Sequence, residues 1–147
     1  MACPCANFGF PGRGCANSVN PIGGLLWANG FASISNDTVH FTTSGLPGAT
    51  TALLFQGTGV VAGGNGAVFG DGLRCVQQNV IRLYKRTALC GNREFGKDVP
   101  GDQLVSVVGG VTTPGVRNYQ VWYRNAAVFC SASTFNLTNG IFIVWSL

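Results

Sequence analysis

Six cysteines are the residues whose chemistry follows most directly from their type and spacing: Cys3, Cys5, Cys15, Cys75, Cys90 and Cys130. An even number of cysteines spread over a turn-rich sequence is typical of a disulfide framework, which persists only in an oxidising compartment. We therefore predict that all six form disulfides in a secreted, extracellular protein. A bond between Cys3 and Cys5 would close a strained ring. The expected bonds join the first three cysteines to the last three, with one bond inside the first group as the alternative.

A metal site is the other use that these thiols could have. Cys3, Cys5 and Cys15 could bind zinc through sulfur, but the paired C-x₂-C spacing of zinc ribbons is missing. The only histidine of the chain is His40. The pattern therefore favours disulfides, and we predict no metal and no cofactor.

Residues that could act in catalysis are few. The chain has one imidazole, no Gly-x-Ser-x-Gly motif and five carboxylates, which are Asp37, Asp71, Glu94, Asp98 and Asp102. A serine-type triad needs histidine beside a nucleophile and an acid, and a glycosidase needs two carboxylates flanking a bond. The last three acids share one loop with basic residues, which favours ion pairs. Asp71 lies between two glycines, which favours a tight turn bonded to its own backbone rather than a calcium site. We predict no catalytic residues, with a hydrolase around His40 as the remaining alternative.

Aromatic and basic side chains on one predicted strand favour a binding surface instead. Alternation from Tyr119 to Arg124 places Gln120, Trp122 and Arg124 on the face opposite the tyrosines. If the tyrosines are buried, an indole flanked by fixed donors is exposed, which suits the apolar face of a sugar. The predicted ligand-binding residues are Trp122, Gln120 and Arg124, joined by Arg82 and Tyr84 from a neighbouring strand.

The alternative is that Trp122 is the core tryptophan and that the tyrosines lie outside. Trp27 and Trp145 are set among apolar residues, and we predict that both are buried.

The C-terminal segment 141–147 is apolar on both alternations. A strand buried on both faces is the simple explanation. The segment could instead pair with a neighbouring subunit through its edge, and the low surface charge favours such self-assembly. The expected partners are therefore copies of the same chain or an extracellular polysaccharide.

Charge excludes other partners. Only 10% of the residues are charged, and the net charge of +4 reflects scarce acids rather than clustered bases. The basic residues between Arg82 and Lys97 are interrupted by Glu94, so no nucleic-acid partner is predicted.

No apolar run approaches the roughly 18 residues that a membrane span needs. The first residues lack the basic start and apolar core of an export signal, so we expect a mature form or a domain of a larger exported protein.

Strand and turn signals dominate the pattern that must position these residues. Predicted strands cover 25–34, 38–43, 51–56, 79–85, 104–108, 119–124 and 141–147, with a short piece at 59–61. Loops are expected around 63–78, 86–103 and 109–117. About eight strands without a helical stripe predict an all-β fold, an antiparallel two-sheet sandwich with Greek-key or jelly-roll connections, stapled by disulfides. Residues 1–24 are predicted to be an irregular strap of the same single domain, with the sandwich over 25–147.

Four short runs resemble a little-characterised domain of predicted secreted proteins of environmental bacteria. They are Gly14-Cys15-Ala16-Asn17-Ser18, Val68-Phe69-Gly70-Asp71-Gly72-Leu73-Arg74-Cys75, Tyr119-Gln120-Val121-Trp122-Tyr123-Arg124 and Phe135-Asn136-Leu137-Thr138-Asn139-Gly140. The resemblance covers nearly the whole chain and implies export and a place at the end of a larger protein, but no activity. Cys90 lies outside its pattern. Together, these patterns predict a secreted, non-catalytic structural or adhesive module.

Overall fold

The computed structural model describes residues 2–147 and confirms an all-β architecture of antiparallel sheets. The strands are β1 (Leu25–Asn29), β2 (His40–Ser44), β3 (Thr50–Gly57), β4 (Gly59–Val60), β5 (Ala67–Phe69), β6 (Gly72–Arg74), β7 (Val76–Gln77), β8 (Ile81–Ala88), β9 (Arg93–Gly96), β10 (Gly115–Arg124), β11 (Phe135–Leu137) and β12 (Ile141–Trp145). One helical turn, α1, spans Val105–Val108, and a 3₁₀ turn spans Val61–Gly64.

Two sheets pack face to face around one apolar core. The three-stranded sheet has the order β1-β2-β9, and the five-stranded sheet has the order β11-β10-β3-β8, with β12 also paired to β10. Phe41 of the first sheet contacts Tyr119 of the second, with ring centroids 4.9 Å apart. Alternate residues along β2, β3 and β10 point into this core because side chains in a strand alternate between its faces.

Two small ribbons and the N-terminal segment cover the five-stranded sheet. The ribbons pair β4 with β7 and β5 with β6, so the predicted loop at 63–78 in fact holds three short strands. The predicted loop at 86–103 likewise contains all of β9 and the end of β8. Residues 2–24, called the strap below, contain no strand and bond to β10 and β11 through Asn17, Asn136 and their partners.

The predicted strand at 104–108 is wrong, because Val105–Val108 form a helical turn. The sequence Val-Ser-Val-Val has high strand propensity, since three of its residues are β-branched. The buried carboxylate of Asp37 overrides this propensity by accepting hydrogen bonds from the backbone N–H groups of Ser106 (2.7 Å) and Val39 (2.9 Å). The capping group is thus supplied by a residue far away in the sequence.

Two further strand predictions need correction. The strand that starts at Leu25 ends at Asn29 rather than Ile34, because Gly30 adopts a positive φ and the Thr38 hydroxyl accepts the next N–H. Trp27 on that strand is 40% exposed, so its predicted burial is wrong, whereas Trp145 is buried as predicted. The C-terminal strand β12 is not buried on both faces, since Phe142 and Val144 are 70% and 62% exposed.

The structure contains two disulfides rather than the predicted three. Cys3 bonds to Cys15 within the strap, and Cys5 bonds to Cys130. Cys75 and Cys90 are thiols, in contrast to the prediction. Because Cys3 and Cys15 of the strap bond to each other, only Cys5 forms a disulfide with a residue outside the strap. Cys75 follows β6 beside Gly140, whereas Cys90 lies in the exposed turn between β8 and β9, so the two thiols belong to different parts of the fold.

Candidate functional site

An open groove of about 450 Å³ lies on the outer face of the five-stranded sheet. The volume is within the range of roughly 300–1,000 Å³ that is typical of small-molecule sites. Its walls come from β3, β10, the β5–β6 hairpin, and β8 with the residue before it: Thr51, Leu53, Phe55, Phe69, Arg74, Val80, Arg82, Lys85 and Trp122. Only Trp122 and Arg82 of the five predicted ligand-binding residues are among them.

Trp122 reaches the groove because alternation along β10 is regular. Tyr119, Val121 and Tyr123 are fully buried in the core, which excludes the alternative with outward-facing tyrosines. Trp122 is half-buried on the opposite face. Its ring lies against Phe135 at a centroid distance of 5.5 Å, and Phe135 in turn contacts Phe69 at 4.8 Å. The rings of Trp122, Phe135 and Phe69 therefore form a supported aromatic wall, in which contacts between the rings hold the indole in place.

A β-bulge decides which basic residues of β8 face the groove. Leu54 is paired with Tyr84, and Phe55 is paired with Arg82, so Leu83 is an extra residue in the ladder. A bulge of this kind puts two consecutive side chains on one face. Leu83 and Tyr84 consequently both point into the core. Arg82 and Lys85 both lie on the groove side, although residues three apart in a regular strand would point in opposite directions.

The bulge also explains why Tyr84 is absent from the groove. Strict alternation predicts that Arg82 and Tyr84 share a face, and this prediction is wrong. Tyr84 is buried, and its hydroxyl donates to the carbonyl oxygen of Gln103 at 2.7 Å. Burial raises the pKa of the Tyr84 phenol, so the group is a neutral core donor rather than a ligand-binding residue.

Gln120 is buried and holds segments together rather than binding a ligand. Its Nε2 donates to the carbonyl oxygens of Leu73 and Thr138, both at 2.8 Å. Its Oε1 accepts the backbone N–H of Cys75 at 2.9 Å. Because all of these partners are backbone groups, the side chain links β10 to the segment 73–75 and to Thr138. Arg124, the fifth predicted residue, is exposed at the end of β10 and does not line the groove.

The β5–β6 hairpin contributes Phe69 and Arg74, neither of which is among the predicted ligand-binding residues. Its turn lies against Phe135, where Gly70 has a φ of +63° and an added Cβ would approach the ring to 2.4 Å. The Arg74 guanidinium lies 5.9 Å from the centroid of the Phe69 ring. The Gly-Asp-Gly run was the signal for this turn, but only its packing shows that the hairpin forms a wall of the groove.

Asp71 in that turn was predicted to bond to its own backbone, and this is wrong. The side chain is fully buried, with Oδ1 accepting from the Ser131 backbone N–H (2.8 Å) and hydroxyl (2.6 Å). Its Oδ2 accepts from Asn125 Nδ2 at 3.1 Å. The carboxylate therefore attaches the hairpin to the segment that precedes β11, a role that depends on residues more than fifty positions away.

The groove is positively charged. Over residues 2–147, its lining includes three cations (Arg74, Arg82 and Lys85) and no acid, and none of the three is in an ion pair. The five acids of the chain are engaged elsewhere. Asp37 and Asp71 are buried and bonded to neutral donors, and Glu94, Asp98 and Asp102 lie against His40, Lys97 and Arg86, respectively.

His40 lies between a backbone carbonyl group and an acid. Its Nδ1 lies 2.7 Å from the Lys97 carbonyl oxygen, which can only accept, so Nδ1 carries the proton. Its Nε2 lies 3.5 Å from Glu94. Within the described part of the chain, no hydroxyl or thiol is hydrogen-bonded to this ring, and no group of three or more potential ligands could hold a metal ion. Residues 2–147 include no helix long and apolar enough to cross a membrane.

Comparison with protein-family models, with curated proteins and with solved structures finds no match for this chain. The resemblance to a domain of secreted bacterial proteins therefore stays a prediction.

Proposed function

We propose that the protein is a secreted, non-catalytic adhesive module that binds extracellular polysaccharide in the groove beside Trp122. The observation that carries this proposal is the supported aromatic wall, which borders an open groove flanked by unpaired donors. Sugars present apolar C–H faces and hydroxyl edges, so a fixed indole with guanidinium and ammonium donors beside it can satisfy both. The two disulfides support a place outside the reducing cytosol.

Removal of the indole is expected to weaken polysaccharide binding by about tenfold or more, since buried aromatic anchors dominate binding at such surfaces. Trp122→Ala should lower retention in affinity electrophoresis through polysaccharide-containing gels. Trp27→Ala is the matched control, because Trp27 is also partly exposed but lies on the other sheet. Retention of both variants equal to that of the wild type, with both still folded by circular dichroism, would remove the groove from this proposal.

A second candidate function is self-assembly through β12. This strand pairs with β10 on one side and carries the exposed apolar side chains Phe142 and Val144. Segment 141–145 has no charge, so two copies can approach edge to edge without like-charge repulsion. The occupant proposed for this surface is a second copy of the same chain.

A charge on β12 is expected to prevent that association, as edge lysines do in natural sheets. In light scattering at rising protein concentration, the wild type should form dimers or larger species and Val144→Lys should stay monomeric. Val107→Lys is the control, because Val107 has the same exposed fraction of 62% but lies on α1. A wild type that stays monomeric throughout the range would argue against assembly.

A further inference from the structure

We infer that the groove selects acidic polysaccharide, with Arg82 and Lys85 binding carboxylate groups of a chain whose sugar rings lie against the Trp122 wall. This inference rests on the proposed function and adds the chemical class of the ligand. It depends on the charge of the groove, the spacing of its cations and the place of its aromatic rings.

The charge of the groove is available to a ligand. Arg74, Arg82 and Lys85 are all exposed, and each lacks an acidic partner among the described residues. By contrast, Arg86 on the same strand β8 is paired with the buried Asp102. The groove cations are therefore uncompensated, and an anion that enters it gains attraction without first breaking an ion pair.

The spacing of Arg82 and Lys85 favours an extended ligand with more than one anionic group. Their partners on β3 are Phe55 and Leu53, two residues apart on one face. Two residues of a strand span about 7 Å, so the cations form a row along β8 rather than one point. A single small anion would contact one of them, whereas a polymer with repeated carboxylates can contact both.

The aromatic wall favours sugar rings as the body of that polymer. Leu53 is paired with both Trp122 and Lys85, so the indole and the ammonium group face the groove from strands on either side of β3. A ring that rests on the indole therefore places its substituents toward the cations. Trp122 is half-buried against Phe135, so only part of the indole surface is free for stacking. Proteins that bind single-stranded nucleic acid use more open aromatic platforms.

The test compares polygalacturonate with the same polymer after methyl esterification, which removes the negative charge and keeps the sugar chain. We expect the acidic polymer to bind at least tenfold more tightly to the wild type, with affinity falling as salt rises. Arg82→Gln and Lys85→Gln should each lower the affinity for the acidic polymer about tenfold and leave the esterified polymer unaffected. Arg117→Gln is the control, because it removes the same charge from β10 outside the groove.

The outcomes separate this inference from the function on which it rests. Equal binding of both polymers, lost in Trp122→Ala but kept in Arg82→Gln, would overturn the acidic selectivity and leave polysaccharide binding in place. Binding of neither polymer would overturn both. Tighter binding of a thymidine oligonucleotide than of polygalacturonate, with the same dependence on Arg82 and Lys85, would assign the groove to nucleic acid and overturn the inference.

Discussion

Loss of the Cys5–Cys130 disulfide is expected to lower the free energy of unfolding by about 5 kcal/mol in the double variant Cys5→Ser/Cys130→Ser. The bond joins residues 125 positions apart, so it restricts almost the entire unfolded chain. Cys3–Cys15 spans only 12 positions, and the same chain-entropy estimate predicts a loop contribution of about 3 kcal/mol. Since domains of this size are stable by about 5–15 kcal/mol, the first loss is large enough to unfold a marginal protein.

Urea unfolding followed by tryptophan fluorescence measures this difference, with Cys90→Ser as the control. Cys90 is an exposed thiol without a bond, so its replacement should leave the transition unchanged. Alkylation before mass spectrometry should modify two cysteines in the denatured, unreduced protein and six after reduction. A double variant that unfolds at the wild-type urea concentration would contradict the expected stabilisation by this bond.

Alkaline pH is expected to unfold the protein steeply, since all three tyrosines have raised pKa values. Burial is the main cause for Tyr84, Tyr119 and Tyr123, and the nearby Asp102 carboxylate adds to it for Tyr84. The hydroxyls are bonded in the core, with Tyr119 donating to Gln56 at 3.0 Å and accepting from Trp145 at 2.9 Å.

Proton linkage gives the direction in which stability changes with pH. In the unfolded chain these phenols ionise near pH 10, whereas the folded protein keeps them protonated to higher pH. Their contribution to stability is complete below about pH 10 and is lost as the pH rises toward the folded-state values. With three protons released on unfolding, stability should fall by up to about 4 kcal/mol per pH unit in that range.

Tyrosinate absorbance and circular dichroism, recorded together in a pH titration, check this prediction. The two signals should change in one cooperative step above pH 10. Tyr84→Phe removes one of the three protons and should make the dependence on pH about one third shallower. Titration of three phenols near their ordinary pKa with an unchanged circular dichroism spectrum would contradict the burial of these residues.

Local periodicity was enough to predict the strands that form the centre of the fold. The predicted strands that contain Phe41 and Leu54 correspond to β2 and β3, and alternation in β10 places Val121 on one face with the tyrosines, as the pattern predicts. The same alternation placed Trp122 on the outer face of the sheet. Where a neighbouring strand changes the pattern, as at the bulge beside Leu83, the prediction fails because a bulge is a property of the pairing.

Other predictions were wrong because some residues bond to partners far away in the sequence. Asp37 caps α1, a helical turn where a strand was predicted at 104–108, and Asp71 bonds to Ser131 and Asn125 rather than to its own turn. These partners lie more than fifty positions away, so a local sequence pattern does not show them. The same reason explains why Phe69, Arg74 and Lys85 were missed as groove residues, since three separate elements bring them together.

Composition and strand period act over a few residues, and they were sufficient to predict a β-sandwich with disulfides and an aromatic strand. Local patterns did not predict which cysteines pair, which tryptophans are buried and which cations share the groove. Those outcomes depend on the strand register and on the packing of distant segments, and a single bulge in β8 turns Tyr84 inward while it leaves Arg82 and Lys85 on one face.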